Sequence, residues 1–123
     1  MQKQKTILIV EDEKGLREAM VDILHRKNFL LFEARNGKEG VELALQKHPD
    51  LILLDLIMPT MDGITALKNI REDVWGKKVP IIILTNLSET SEQLISDTVT
   101  YYLIKSDWKL HDIVKKIEEI LGI

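Results

Sequence analysis

Four short stretches dominated by apolar residues recur along the chain, and the segments between them change period. "TILIV" (6–10), "LLFEA" (30–34), "DLILLD" (50–55) and "VPIIILT" (79–85) read as buried strands, and a shorter, more aromatic fifth, "TYYLIK" (100–105), follows. The intervening segments carry apolar residues at helical spacing. Residues 14–27 put Leu16, Met20, Ile23 and Leu24 on one face, 38–47 put Val41, Ala44 and Leu45 there, and 63–73 put Ile64, Leu67 and Ile70 there. The last, 107–121, turns Leu110, Ile113, Val114, Ile117, Ile120 and Leu121 inward. A fourth helix over 88–99 is the least anchored, with only Leu94, Ile95 and Val99 as apolar contacts. Asn36-Gly37 opens the second helix, His48-Pro49-Asp50 closes it, and Asp62-Gly63 opens the third.

Strands buried on both faces and joined by single helices require parallel pairing with right-handed crossovers. The expectation is therefore an α/β fold: an open, doubly wound parallel sheet of five strands with helices on both faces. The length of 123 residues suits one domain over 1–123. The sequence within that span shows no linker and no output domain, and it has no internal repeat.

Composition excludes several functions. With 17 basic and 20 acidic residues the formal charge is −3, and the basic residues are scattered among acids, as in "VKKIEEI", rather than massed into a stripe. Direct nucleic-acid binding is not expected. The absence of cysteine removes disulfides, thiolate nucleophiles and cysteine metal sites, and suits a reducing cytoplasm. The apolar run "ILIV" is too short for a signal peptide, and no segment approaches a membrane span.

In an open parallel sheet, ligands bind beyond the carboxyl ends of the strands. There the first strand delivers Glu11-Asp12-Glu13, the third Asp55, the fourth Thr85 and the fifth Lys105. An aspartate inside "LILLDLIMP" is costly to bury unless it has partners. Acids converging from two strands call for a cation, and Mg²⁺ suits carboxylate oxygens with several waters retained. Asp12 and Asp55 fit, with Glu11 available through water. A hydroxyl and an ammonium suit phosphoryl oxygens, and an aspartate can itself be the nucleophile. Taken singly, each of these residues also has a plain reading. "EDE" can cap the first helix, "DLIMPTMDG" can be a turn, Lys105 can be a solvated strand end, and Thr85 can be a β-branched strand residue.

The segments "ILIVEDE" (7–13), "DLILLDLIMPTMDG" (50–63), "IIILTN" (81–86) and "YLIKSDW" (102–108) resemble, in order and spacing, the receiver domain of two-component response regulators, whose simplest form is the single-domain chemotaxis regulator. The run D-x-x-M-P-x-M-D-G from Asp55 to Gly63 is the most specific part. The resemblance implies a flavodoxin-like sheet in the order 2-1-3-4-5. It implies that Asp55 is the phospho-acceptor and that Asp12, with Glu11 behind it, holds Mg²⁺ together with Asp55 and the main-chain carbonyl of Ile57. Thr85 and Lys105 would contact the phosphoryl oxygens, and Tyr102 would be the switch aromatic that follows Thr85. The implied donor is a sensor histidine kinase or histidine phosphotransfer protein. The implied output is a downstream target bound through a face built from the fourth helix, fifth strand and fifth helix. Such a domain phosphorylates itself and is not a turnover enzyme.

The chain departs from the family pattern in placing Ser106 where proline usually follows the lysine, and Thr98-Val99 where Gly-Ala is usual; the stretch from Thr85 to Lys105 is about two residues short. Ile57 and Leu87 occupy the positions that the family associates with self-dephosphorylation. Both are apolar, which implies a long-lived phosphoryl group. Three rival readings remain. A flavodoxin-like electron carrier would place a flavin phosphate against Glu11, Asp12 and Glu13, which repel it. An aspartyl phosphatase needs a general acid where Ile57 stands. A receiver-like interaction module that is never phosphorylated would have little reason to carry Asp12, Asp55, Thr85 and Lys105 together.

Overall fold

The computed structural model describes residues 4–55, 63–85, 101–104 and 109–123. Its elements are β1 (Thr6–Val10), α1 (Lys14–Arg26), β2 (Leu30–Ala34), α2 (Gly37–Lys47), β3 (Leu51–Asp55), α3 (Gly63–Glu72), a 3₁₀ turn (Trp75–Lys77), β4 (Ile81–Thr85), β5 (Tyr101–Ile104) and a C-terminal helix (Leu110–Leu121). The strands form one parallel sheet in the order β2-β1-β3-β4-β5. The expected fourth helix over 88–99 lies outside the described residues. No helix among the described residues is long and apolar enough to cross a membrane.

The unbroken apolar character of β1, β3 and β4 follows from burial on both faces. Leu8, Val10, Ile52, Leu54, Ile81 and Ile83 point to one side, where they meet Ala44 of α2 and Ala66, Leu67 and Ile70 of α3. The alternate residues Ile7, Ile9, Leu51, Leu53, Ile82 and Leu84 point to the other, against Met20 and Leu24 of α1 and Ile113, Val114 and Ile117 of the C-terminal helix. Period-two alternation is present, but both phases are apolar because helices cover both faces. The six expected inward positions of the C-terminal helix all fall in or against this second cluster. That helix opens with the Asp112 carboxylate accepting from the Lys109 N–H at 2.8 Å and closes at Gly122 in a left-handed conformation (φ 71°).

Two expectations are corrected. "LLFEA" is an edge strand: Leu30 is 48% exposed, and only Ala34 of its five residues is fully buried. A strand with one neighbour has less of each face covered, so its leucines are not core residues. In α2, Leu45 is exposed, whereas Gly37, Gly40 and Ala44 are buried. The helix approaches the sheet so closely that its contact face is built from small residues, with Val41 and Leu43 partly buried beside them. Its ends fall as the sequence implies. Asn36 accepts from the Glu39 N–H at 2.9 Å, and His48 ends the helix with φ 48°.

The loop between α3 and β4 holds the 3₁₀ turn, which hydropathy does not announce. Arg71 donates from Nη1 to the carbonyls of Gly76 (2.8 Å) and Val79 (2.7 Å), and its burial lowers the guanidinium pKa below the ordinary value by desolvation. Gly76 packs directly onto the Ile70 carbonyl, where a Cβ would lie only 1.8 Å from the oxygen. Trp75 stacks on His48 with ring centroids 4.4 Å apart and planes 7° from parallel, tying this loop to the end of α2. Trp75 is thus a packing residue.

Candidate functional site

The parallel register brings the strand ends into line. Val10 pairs with Leu54, Leu54 with Ile83, and Ile83 with Tyr102. One residue further along, Asp55 pairs with Leu84, and Glu11 has just left β1. One more step reaches Thr85, paired with Ile104, and Asp12. Strand length and register alone therefore deliver the acids to one edge of the sheet.

Glu11, Asp12 and Asp55 each offer a carboxylate oxygen within 4.8 Å of the others. Asp55 is 3% exposed and Glu11 fully buried, while Asp12 is open to solvent. Glu11 extends the β1–β2 ladder by donating its N–H to the Ala34 carbonyl at 3.0 Å, and its Oε2 accepts from the Glu13 N–H at 3.2 Å. Glu13 occupies the N-cap position of α1 but makes no side-chain cap bond, so capping does not account for the acidic run.

The set fits a hard divalent cation. All three donors are carboxylate oxygens, and Mg²⁺ prefers one or two such groups with water completing its shell. Opposite oxygens around an octahedral Mg²⁺ lie about 4.2 Å apart, so a cluster of this size needs only a small side-chain adjustment to close on the ion. Asp12 is the solvent-exposed member of the set.

Of the other expected site residues, Thr85 ends β4 and Tyr102 lies in β5 opposite Ile83. Ile57, Leu87 and Lys105 lie outside the described residues. Arg17 is a residue that the strand-end inventory does not reach. Its Nη1 donates to the main-chain carbonyls of Glu11 (2.8 Å) and Asp12 (3.4 Å), and its Nε lies 3.6 Å from the Glu33 carboxylate. The available signal is a cation in the first turn of α1, where a helix ordinarily favours acids.

Residues 7–118 match the family model for the response regulator receiver domain. The chain belongs to this family and is thus a receiver domain of two-component signalling. It is similar to the protein-glutamate methylesterase/protein-glutamine glutaminase of Archaeoglobus fulgidus, 37% identical over 121 residues, which cover 94% of this chain and 34% of that protein. It is also similar to the transcriptional regulatory protein ResD of Bacillus subtilis, 42% identical over 88 residues, which cover 72% of this chain and 35% of that one. The chain thus spans about a third of the length of these curated relatives. Among solved structures, the response regulator protein TrrA of Thermotoga maritima in complex with Mg²⁺-BeF superposes with a TM-score of 0.83 at 28% identity, covering 94% of this chain and 98% of that one.

Proposed function

We propose that the chain is a phosphorylation switch in which Asp55 accepts a phosphoryl group from the phosphohistidine of a sensor histidine kinase or histidine phosphotransfer protein. The carrying observation is the convergence of Glu11, Asp12 and Asp55 at the carboxyl edge of a receiver-domain sheet. The TrrA complex with Mg²⁺-BeF supports the choice of cation.

Glu11, Asp12, Asp55 and the main-chain carbonyl of Ile57 would hold Mg²⁺. Bound there, the ion supplies positive charge that offsets repulsion between the carboxylates and the incoming phosphoryl group. A carboxylate oxygen of Asp55 attacks phosphorus as the P–N bond to the donor imidazole breaks. The bonding pair returns to the ring nitrogen, and the product is an aspartyl phosphate. The Thr85 hydroxyl and Lys105 ammonium donate to the phosphoryl oxygens. Movement of Thr85 toward them frees space that Tyr102 fills, which shifts the population toward a second arrangement of the face formed by residues 88–99, β5 and the C-terminal helix. A downstream protein reads that face, on which Lys116 already lies 4.2 Å above the half-exposed Tyr101 ring. The chain acts on itself rather than turning over substrate. It needs neither nucleic acid nor membrane, and it works in the cytoplasm. Ile57 and Leu87 offer no hydrogen bond to an attacking water, which favours a long-lived aspartyl phosphate.

Incubation with a small acyl phosphate, followed by intact-mass spectrometry, tests the reading. A Mg²⁺-dependent gain of one phosphoryl group, absent in Asp55→Asn, is expected. No gain by a folded protein at saturating Mg²⁺ would overturn it.

A further inference from the structure

Arg17 stands where local physics disfavours it. It lies in the first turn of α1, at the positive end of the helix dipole, and its side chain is only 11% exposed. No acid in that turn offsets it. Burying a guanidinium needs compensating hydrogen bonds, and these come from one place: the two successive main-chain carbonyls of Glu11 and Asp12, with the Glu33 carboxylate steadying Nε from β2.

Those carbonyls belong to the residues that carry two of the three clustered carboxylates. Fixing the carbonyl oxygens fixes the rotation of both peptide units, and with it the directions in which the Glu11 and Asp12 side chains leave the backbone. We propose that Arg17 is a positioning residue for the divalent-cation site. It touches neither metal nor phosphoryl group, but it holds the β1–α1 loop in the conformation that aims Glu11 and Asp12 at Asp55. Glu33 acts one step further out by orienting the guanidinium. The inference rests on the Mg²⁺ site proposed above.

Charge and geometry predict opposite signs here, which makes the role measurable. If Arg17 acted only as a nearby positive charge, removing it would tighten binding of a dication. If it positions the loop, removing it weakens binding despite the loss of cation–cation repulsion. Outer-shell partners of metal ligands typically contribute roughly 10- to 100-fold in affinity.

The test is calorimetric titration of the full chain with Mg²⁺ at 25 °C, with thermal unfolding of the metal-free proteins measured alongside. Arg17→Met is expected to raise the Kd about tenfold. Arg17→Lys, which keeps the charge but ends short of the Nη1 position and lacks the Nε that faces Glu33, should recover part of the loss, and Glu33→Gln should give a smaller increase. A purely structural role would lower the unfolding temperature of the metal-free protein and leave the Kd unmoved. Unchanged or tighter binding in both Arg17 variants would overturn the proposal while leaving the metal site standing. Failure of the unsubstituted protein to bind Mg²⁺ would overturn both. If Arg17→Met does not fold, the Arg17→Lys and Glu33→Gln titrations carry the same decision.

Discussion

Gly40 of α2 lies directly against Val10 of β1: a Cβ placed on Gly40 would sit 2.8 Å from both γ-carbons of the valine. Val10 is the last residue of its strand, immediately before Glu11 and Asp12, so this contact sets how closely α2 presses on the strand that delivers the acids. A valine side chain is stiff and cannot turn aside cheaply. Gly40→Ala is therefore expected to destabilise the protein by about 1–2 kcal/mol, because overpacking outweighs the gain in helix propensity. Urea denaturation checks the sign, which an unconstrained helical glycine would reverse.

Clustered carboxylates repel one another until a cation joins them, so Mg²⁺ should raise the unfolding temperature. At a concentration one hundred times the Kd, the added stability is about 2.7 kcal/mol. Asp12→Asn neutralises the solvent-facing carboxylate of the cluster without opening the core and should abolish most of this metal-dependent rise. Differential scanning calorimetry with and without Mg²⁺ measures both.

His48 combines a left-handed backbone (φ 48°, ψ 60°) with a stack on Trp75. His48→Gly relieves the backbone and loses the stack, two effects of about 1 kcal/mol that largely offset. His48→Ala loses the stack and keeps a Cβ in the left-handed region, so it should be the less stable variant by roughly 1 kcal/mol. Parallel chemical denaturation of the two proteins decides the order.

Arg71 bonds two loop carbonyls at 2.7 and 2.8 Å and closes the 3₁₀ turn onto α3. Arg71→Met should cost about 2–3 kcal/mol, since hydrogen bonds to charged groups are the stronger kind. Arg71→Lys should recover only part, because the shorter lysine side chain ends its ammonium short of the Nη1 position from which both oxygens are met. Equilibrium unfolding, with hydrogen exchange at the amides of 75–79, would register the loss as faster exchange in the loop.

Much of the fold and of the acidic cluster was legible in the residues. The runs around Ile7–Ile9, Leu51–Leu54 and Ile81–Leu84 are apolar in both phases and too short for helices, which together point to strands covered on both faces. The same register carries Glu11, Asp12 and Asp55 to one edge, so a list of strand ends is nearly a list of the cluster. The close face of α2 was less visible. Glycine has no hydropathy signal, so the helical period points to Leu45 and not to Gly40, although close packing selects the smaller residue. The edge position of β2 and the turn at Trp75–Lys77 depend on what lies beside them in space, not on local spacing. The role of Arg17 depends on spatial neighbours in the same way. Its partners are backbone oxygens five and six positions away, and no periodicity records such a contact.

The most direct test of the central claim is to map the phosphoryl group. The Mg²⁺-loaded protein is treated with a small acyl phosphate, the acyl phosphate formed is reduced with borohydride, and the peptides are read by tandem mass spectrometry. Reduction of an aspartyl phosphate leaves homoserine, expected at position 55 and nowhere else. A reduction product at Glu11 or Asp12, or none in a protein shown to be folded and metal-bound, would contradict the assignment of Asp55 as the acceptor.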